Sequence, residues 1–270
     1  MATVLTELRS ARELLVNLTM REVRGKYKRT ALGQGWSLLN PLAQMLVFSL
    51  VFGVVIRIQV SPGDPSGLDV FALWLVAGLL PWTYLSNAMV GGMGALLANA
   101  NLIKKVYFPR SLLVLATVFG WNVSFAFELL VLTVTLLVVG AHLLLYLPLV
   151  VLFVAMLTAF ALGLALALAV ANVYFRDTQH FVAIALQMWF YATPIVYPYS
   201  LIHGHASSLV ETLYRLNPME RFVTVFRNLM YDTRLPTAGD SLYCVAAALT
   251  ALVGGYWLFR RYEGRLAEEL

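Results

Sequence analysis

SLLVLATVFGWNVSFAFELLVLTVTLLVVG, residues 111–140, carries one charged side chain, Glu128, in a run long enough to cross a hydrocarbon core of about 30 Å, which takes roughly 20 helical residues. YLPLVVLFVAMLTAFALGLALALAVAN, residues 146–172, follows it and carries none. Working outward, further apolar stretches occupy 37–57, 70–97, 180–198 and 238–259, so the pattern predicts six crossings that bring both ends to one side. The whole chain agrees: of 270 residues 60% are hydrophobic and 12% charged, the latter about half the charged share of a soluble domain. Too few polar residues remain to cover a water-exposed core, so the apolar excess must face lipid. The expected fold is therefore an all-α integral membrane protein.

Charge sets the orientation. With the N-terminus inside, 14 of the 19 Lys and Arg fall in the inner segments and Arg57, Arg215, Arg221, Arg227 and Arg234 remain outside. Short basic loops stay on the cytoplasmic side during insertion, so both termini are expected there. The net charge of +5 reads as topology and headgroup contact, not as nucleic-acid binding. Residues 1–15, MATVLTELRSARELL, lack the apolar core and cleavage site of a secretory signal, and the segment is expected to stay on the inner side. Leu5, Leu8, Leu15 and Leu18 recur at helical spacing with Glu7, Arg9, Arg12, Glu13 and Arg21 between them, which predicts an amphipathic surface helix. Arg24, Lys26, Lys28 and Arg29 then form a basic strip, each attracting anionic lipid by about 1 kcal/mol. Two regions result: 1–30, an interface helix with its basic strip, and 31–270, a six-span domain. Cys244, the single cysteine, lies in an apolar run and reads as packing.

Residues 199–237 break the pattern. Asn217-Pro218-Met219-Glu220 combines a capping side chain, a proline in the first turn and an early carboxylate, which predicts a helix start. Met219, Phe222, Val223, Phe226, Leu229 and Met230 then share one face, and Glu220, Arg221, Thr224, Arg227 and Asn228 the other. At roughly 14 residues such a helix is too short to cross, so it is expected in the outer interface or dipping partway in. Just upstream, Thr193-Pro194-Ile195-Val196-Tyr197-Pro198-Tyr199 places two prolines at the end of the fifth span. Broken backbone at that depth is tolerated where protein or a water-filled cavity surrounds it, which suggests a gate or pore mouth.

No Gly-x-x-x-x-Gly-Lys-Ser/Thr loop occurs, so any ATP must be held by another polypeptide through such a device. Neither a Ser/His/Asp set nor paired carboxylates within a span support a membrane enzyme, and His203 and His205 have no third ligand for a metal. The stretch Arg24-Gly25-Lys26-Tyr27-Lys28-Arg29, followed by Leu32-Gly33, Trp36 and Pro41, resembles the approach to the first span in permeases of polysaccharide and teichoic-acid ABC transporters. Residues 101–110, NLIKKVYFPR, resemble that family's basic loop between spans two and three, and Asn217-Pro218 with Phe226-Arg227 its outer-gate helix.

The resemblance implies a homodimer working with two copies of a separate ATP-binding subunit, which holds the ATP and Mg, and a substrate of undecaprenyl-diphosphate-linked glycan. It implies a bacterial cytoplasmic (inner) membrane and no cofactor on this chain. Arg9, Arg12, Lys104, Lys105, Tyr107, Arg110, Arg176 and Asp177 would then touch the ATPase subunit, and Arg24, Lys26, Tyr27, Lys28, Arg29 and Trp36 the lipid headgroups. The plainer alternatives are a charge-rule loop, a solvated turn at Arg176-Asp177 and an interfacial tryptophan. Trp82, Tyr84, Trp121, Phe125, Trp189 and Tyr191 are candidate wall residues of a glycan path, since sugar C–H faces stack on aromatic rings. Glu128, midway along the third span, is expected to face the protein interior, as a channel-lining group or in a structural hydrogen bond. Pro194, Tyr197, Pro198, Asn217, Pro218, Phe226 and Arg227 are the expected outer gate. A permease for a small amphipathic drug or lipid and a lipid-linked sugar transferase are the alternative functions.

Overall fold

The computed structural model describes residues 12–26, 28, 30–33, 35–55, 57, 61–106, 108–198 and 208–269. Arg9, Tyr27, Arg29, Tyr107, Tyr199, His203 and His205 lie outside the described residues. Among the described residues every regular element is helical: α1 (Arg12–Lys26), α2 (Gly35–Phe48, continued by a π-helical stretch Ser49–Val55), α3 (Phe71–Ala98), α4 (Ala100–Lys105), α5 (Ser111–Val138), α6 (Leu147–Tyr174, led in by a 3-10 turn Leu144–Tyr146), α7 (Thr178–Tyr191), α8 (Ser208–Leu216), α9 (Pro218–Met230), α10 (Ala238–Tyr262) and α11 (Leu266–Glu269).

Four of these helical stretches are long and apolar enough to cross a bilayer: Phe71–Ala98, Ser111–Val138, Leu144–Tyr174 and Ala238–Tyr262. They coincide with four of the stretches expected from sequence. The other two differ. The run expected at 37–57 is one helical stretch from Gly35 to Val55 that changes from α to π at Ser49. The run expected at 180–198 is helical only as far as Tyr191, a 14-residue helix of roughly 21 Å at 1.5 Å per residue.

Helix α3 is the centre of the bundle, packed on α5, α6 and α9 with α2 and α7 beside it, and α10 lies along α6. The opposite faces stay apolar. Val123, Phe127, Leu130, Val134 and Val138 form an exposed stripe on α5, and Leu242, Val245, Leu249, Val253 and Trp257 another on α10. A water-soluble bundle would turn polar side chains outward at these positions, so the stripes mark lipid-facing surface.

Without a hydrophobic drive between helices in lipid, one of the forces that joins them is the packing gained by close backbone approach. It occurs where α6 and α10 cross at Gly163, Ala251 and Gly255. A Cβ on Gly255 would land on the Gly163 carbonyl, and one on Gly163 would meet the Ala251 backbone.

The amphipathic helix expected at the inner surface, α1, packs one face against α5. Leu18 is buried, and Gly120 leaves room for Glu22, whose Cβ would be 3.3 Å from a side chain there. Arg21 donates to Asn99 Oδ1 at 2.6 Å, just past the end of α3. Lys26 Nζ sits 3.3 Å from the centre of the Trp121 ring, a cation–π contact that compensates part of its lost hydration. Burial pulls this ammonium down to about 7, against the opposing attraction of Glu22 and Glu128.

Candidate functional site

Helices α2, α3 and α7 border a groove of about 460 Å³. Its polar lining is uncharged, with Gln44 from α2, Thr83, Ser86 and Asn87 from α3 and Gln187 from α7, interleaved with Phe48, Trp82, Phe190 and Tyr191. Thr83, Ser86, Asn87 and Val90 recur every three or four residues, so one face of α3 supplies that wall. The rings form a connected set: Trp82 stands edge-on to Trp189 at 5.6 Å and tilted to Phe190 at 5.7 Å, while Phe48 stacks on Phe190 at 6.0 Å. Amides and hydroxyls beside aromatic faces suit a neutral polyhydroxylated chain, which needs exchangeable hydrogen bonds and ring stacking and no fixed charge.

The sequence-expected wall residues divide. Trp82 and Tyr191 line the groove, and Trp189 buttresses it from behind Trp82. Tyr84 and Phe125 lie inside the bundle, stacked at 4.8 Å. The Tyr84 hydroxyl donates to Thr158 Oγ1 at 3.1 Å, and Thr158 shares its own proton between Asn122 Oδ1 at 3.0 Å and the Val154 carbonyl at 2.7 Å. This network joins α3, α5 and α6. Trp121 is engaged with Lys26, and Glu128 is buried, facing the interior as its apolar neighbourhood requires. Gln44, Asn87 and Gln187 were missed by the aromatic criterion. Their signal was an uncharged amide standing inside an apolar run.

At one end of the bundle, α9 and the proline-broken segment after α7 interlock. Asn217 makes four bonds. Its Oδ1 accepts from the Met219 N–H at 3.0 Å and from Trp189 Nε1 at 2.7 Å, and its Nδ2 donates to the Ala192 carbonyl at 3.1 Å and Thr193 Oγ1 at 2.9 Å. One side chain thus caps α9 and ties it to the end of α7. Replacing it with alanine removes the cap and strands the indole N–H, so Asn217→Ala is expected to lower stability by about 2 kcal/mol, read as the thermal unfolding midpoint in detergent. An Asn217→Asp protein should recover only the cap and the indole bond, because a carboxylate cannot donate to Ala192.

Arg227 was placed by periodicity on the polar face of α9, and the structure buries it, leaving it 9% exposed. Its guanidinium donates to the carbonyls of Pro194 (2.8 Å), Ile195 (2.6 Å) and Trp74 (3.3 Å), and lies 3.5 Å from the centre of the Trp74 ring. Gly78 makes the space, since a Cβ there would lie 3.1 Å from the guanidinium carbon. Protein, not a cavity, therefore meets the carbonyls that the proline break leaves without helix partners. Burial lowers the Arg227 pKa to about 9, with Asp232 and Glu220 pulling the other way, so the group stays charged at neutral pH. Phe226 fills the neighbouring space, 5.1 Å from Phe153 and 6.4 Å from Phe125. Tyr197 donates to the Tyr191 carbonyl at 2.6 Å and lies 2.9 Å from the Tyr214 hydroxyl, which ties Tyr197 to α8.

At the other end, Lys104, Lys105, Arg176 and Asp177 are exposed, as are Arg12, Arg24, Lys28 and Trp36. Arg110 is half-buried and bonded to Glu263, and a cleft of about 320 Å³ lies against Lys104, Lys105 and Arg110. Among the described residues no group of three His, Cys, Asp or Glu could hold a metal ion.

Comparison with known proteins gives this architecture a family. The chain is similar over its full length to an O-antigen export system permease protein RfbA from Myxococcus xanthus, at 32% identity with 100% of each chain covered. Two proteins of the same name from Klebsiella pneumoniae are 29% and 27% identical, each over 96% of this chain and 95% of the relative. Residues 13–231, which hold the groove, the interlocked end and the basic loop, match the ABC-2 type transporter family, and the chain belongs to it.

Proposed function

We propose that this chain is the membrane subunit of an ATP-driven exporter of undecaprenyl-diphosphate-linked polysaccharide in a bacterial cytoplasmic membrane. It works as a homodimer with two copies of a separate ATP-binding subunit, on which ATP and Mg reside. In this reading α2 and α7 are the first and fifth of six crossings, both termini face the cytoplasm, and α8 and α9 lie at the outer face. The observation that carries the reading is the groove: uncharged hydrogen-bonding groups and linked aromatic rings along α3 and α7 in a chain of this family. Two such grooves facing each other across a dimer would enclose a path for a glycan, with the lipid tail left in the bilayer.

ATP-driven closure of the partner subunits pushes on the exposed Lys104/Lys105 loop and the Arg176-Asp177 turn and shifts the spans as rigid bodies. The end held by Asn217 and Arg227 serves as the outer gate. Arg9 and Tyr107 belong to the same coupling surface in this proposal, and Tyr27 and Arg29 to the headgroup strip.

Two measurements test it. Depleting the chain in its own bacterium should accumulate an undecaprenyl-linked glycan on the inner side; unchanged levels of such lipids, with loss of efflux of a small amphipathic compound instead, would sink the polysaccharide assignment. Reversing charge at Lys104→Glu/Lys105→Glu should cut export at least tenfold with the protein still in the membrane, since like-charge juxtaposition at an interface costs several kcal/mol. Wild-type export by that variant would remove the loop from the mechanism.

A further inference from the structure

The C-terminal turn reaches back to the basic loop in a way that the sequence did not signal. Arg110, the residue before α5, donates its backbone N–H to Glu263 Oε1 at 3.0 Å and its guanidinium to the Glu263 backbone carbonyl. The other carboxylate oxygen, Oε2, pairs with Arg260 Nη1 at 3.0 Å, one turn back on α10. Glu263 is thus held from both sides, by its own helix and by the loop, with its side chain only 16% exposed.

Two bonds from one residue to one residue fix orientation as well as distance. The neighbourhood reinforces them: Leu266 on α11 is fully buried, α11 packs on α4 and α6, and Tyr262 stands edge-on to Tyr174 at 5.7 Å. Helix α10 in turn meets α6 backbone to backbone at Gly163 and Gly255, leaving no side chain between them to absorb a displacement. A push on residues 101–110 therefore has a stiff route to α10 and, through it, to α6.

We propose that Glu263 is a positioning residue that transmits displacement of the basic loop to the last long helix. This rests on the reading of Lys104 and Lys105 as part of the surface the ATPase subunit pushes on. Glu263 touches neither substrate nor nucleotide; it acts through Arg110.

The test uses the full complex with its ATPase subunit in vesicles of phosphatidylethanolamine and phosphatidylglycerol. An environment-sensitive fluorophore is placed on α10 through Val253→Cys, a position 55% exposed on the lipid-facing stripe, while the native Cys244 is buried and stays unlabelled. The unaltered transmission route should give an ATP-dependent change in emission. Glu263→Ala is expected to reduce that change at least threefold while the ATPase subunit still co-purifies in full. Glu263→Gln, which keeps an acceptor for the Arg110 N–H, should retain more than half of it. The proposal is overturned if Glu263→Ala keeps the full change, or if both variants lose it together with the ATPase subunit, which would mark a purely structural role. Lys104→Glu/Lys105→Glu in the same vesicles separates the two ideas: a normal signal there sinks the loop reading, whereas a lost signal there with a normal one in Glu263→Ala sinks only the relay.

Discussion

Leucine in place of Gly255 is expected to prevent α6 and α10 from docking, and leucine in place of Gly254, its neighbour in sequence, to be tolerated. The two positions differ in what a side chain would meet: at Gly255 the first carbon falls on the Gly163 carbonyl, and at Gly254 nothing lies within 4 Å. Overpacking a tight contact costs about 1–3 kcal/mol when side chains can shift. Here the obstacle is backbone, so the whole helix must retreat and the loss should reach or exceed the upper end of that range, about 3 kcal/mol. Yield of monodisperse protein in detergent and its thermal midpoint measure this. Equal midpoints for Gly254→Leu and Gly255→Leu would show that the crossing is not a determinant of the fold.

Removing the Arg227 guanidinium should open the segment after α7 without unfolding the rest. In Arg227→Met the Pro194 and Ile195 carbonyls lose their charged donor, while the Trp74 carbonyl keeps its partner within α3, and each buried acceptor left unmet costs about 1–3 kcal/mol. The relief of a buried charge offsets part of that, so a net loss of about 3 kcal/mol is expected, confined to the local opening of residues 192–198. Such a loss raises the open population roughly a hundredfold. A cysteine at Ile195, fully buried in the intact protein, should then react with a water-soluble maleimide roughly a hundredfold faster. Arg227→Lys should fall between the two, because an ammonium keeps the charge and cannot span three carbonyls while stacking flat on Trp74. Equal labelling in all three proteins would show that other contacts hold the segment.

The four long helices were legible because apolar runs of that length have few alternatives, and α9 because its cap, proline and periodicity are all local. Arg227 was misplaced because its partners are not local. Amphipathicity within 13 residues sends a charge outward, and only the fold brings the Pro194–Ile195 break, more than 30 residues away in sequence, against it. The packing of α1 on α5 has the same origin, since Gly120 and Trp121 give no sign in sequence that they receive another helix. Choosing wall residues by ring type met a geometric limit: Trp82 and Tyr84 are two positions apart, about 200° around a helix, so one face could hold only one of them. The groove took Trp82 and the core took Tyr84.

With α7 as the fifth crossing, as proposed, its brevity would act on the bilayer itself. Its 14 residues reach roughly 21 Å, beside 28-residue neighbours of roughly 42 Å, against a hydrocarbon layer of about 30 Å. Thinning of the adjoining lipid is one response to such a mismatch, and it would bring the water boundary toward the groove mouth. In the proposed exporter a bulky phosphorylated sugar would then have less oil to traverse there, and membranes built from longer acyl chains should slow its passage.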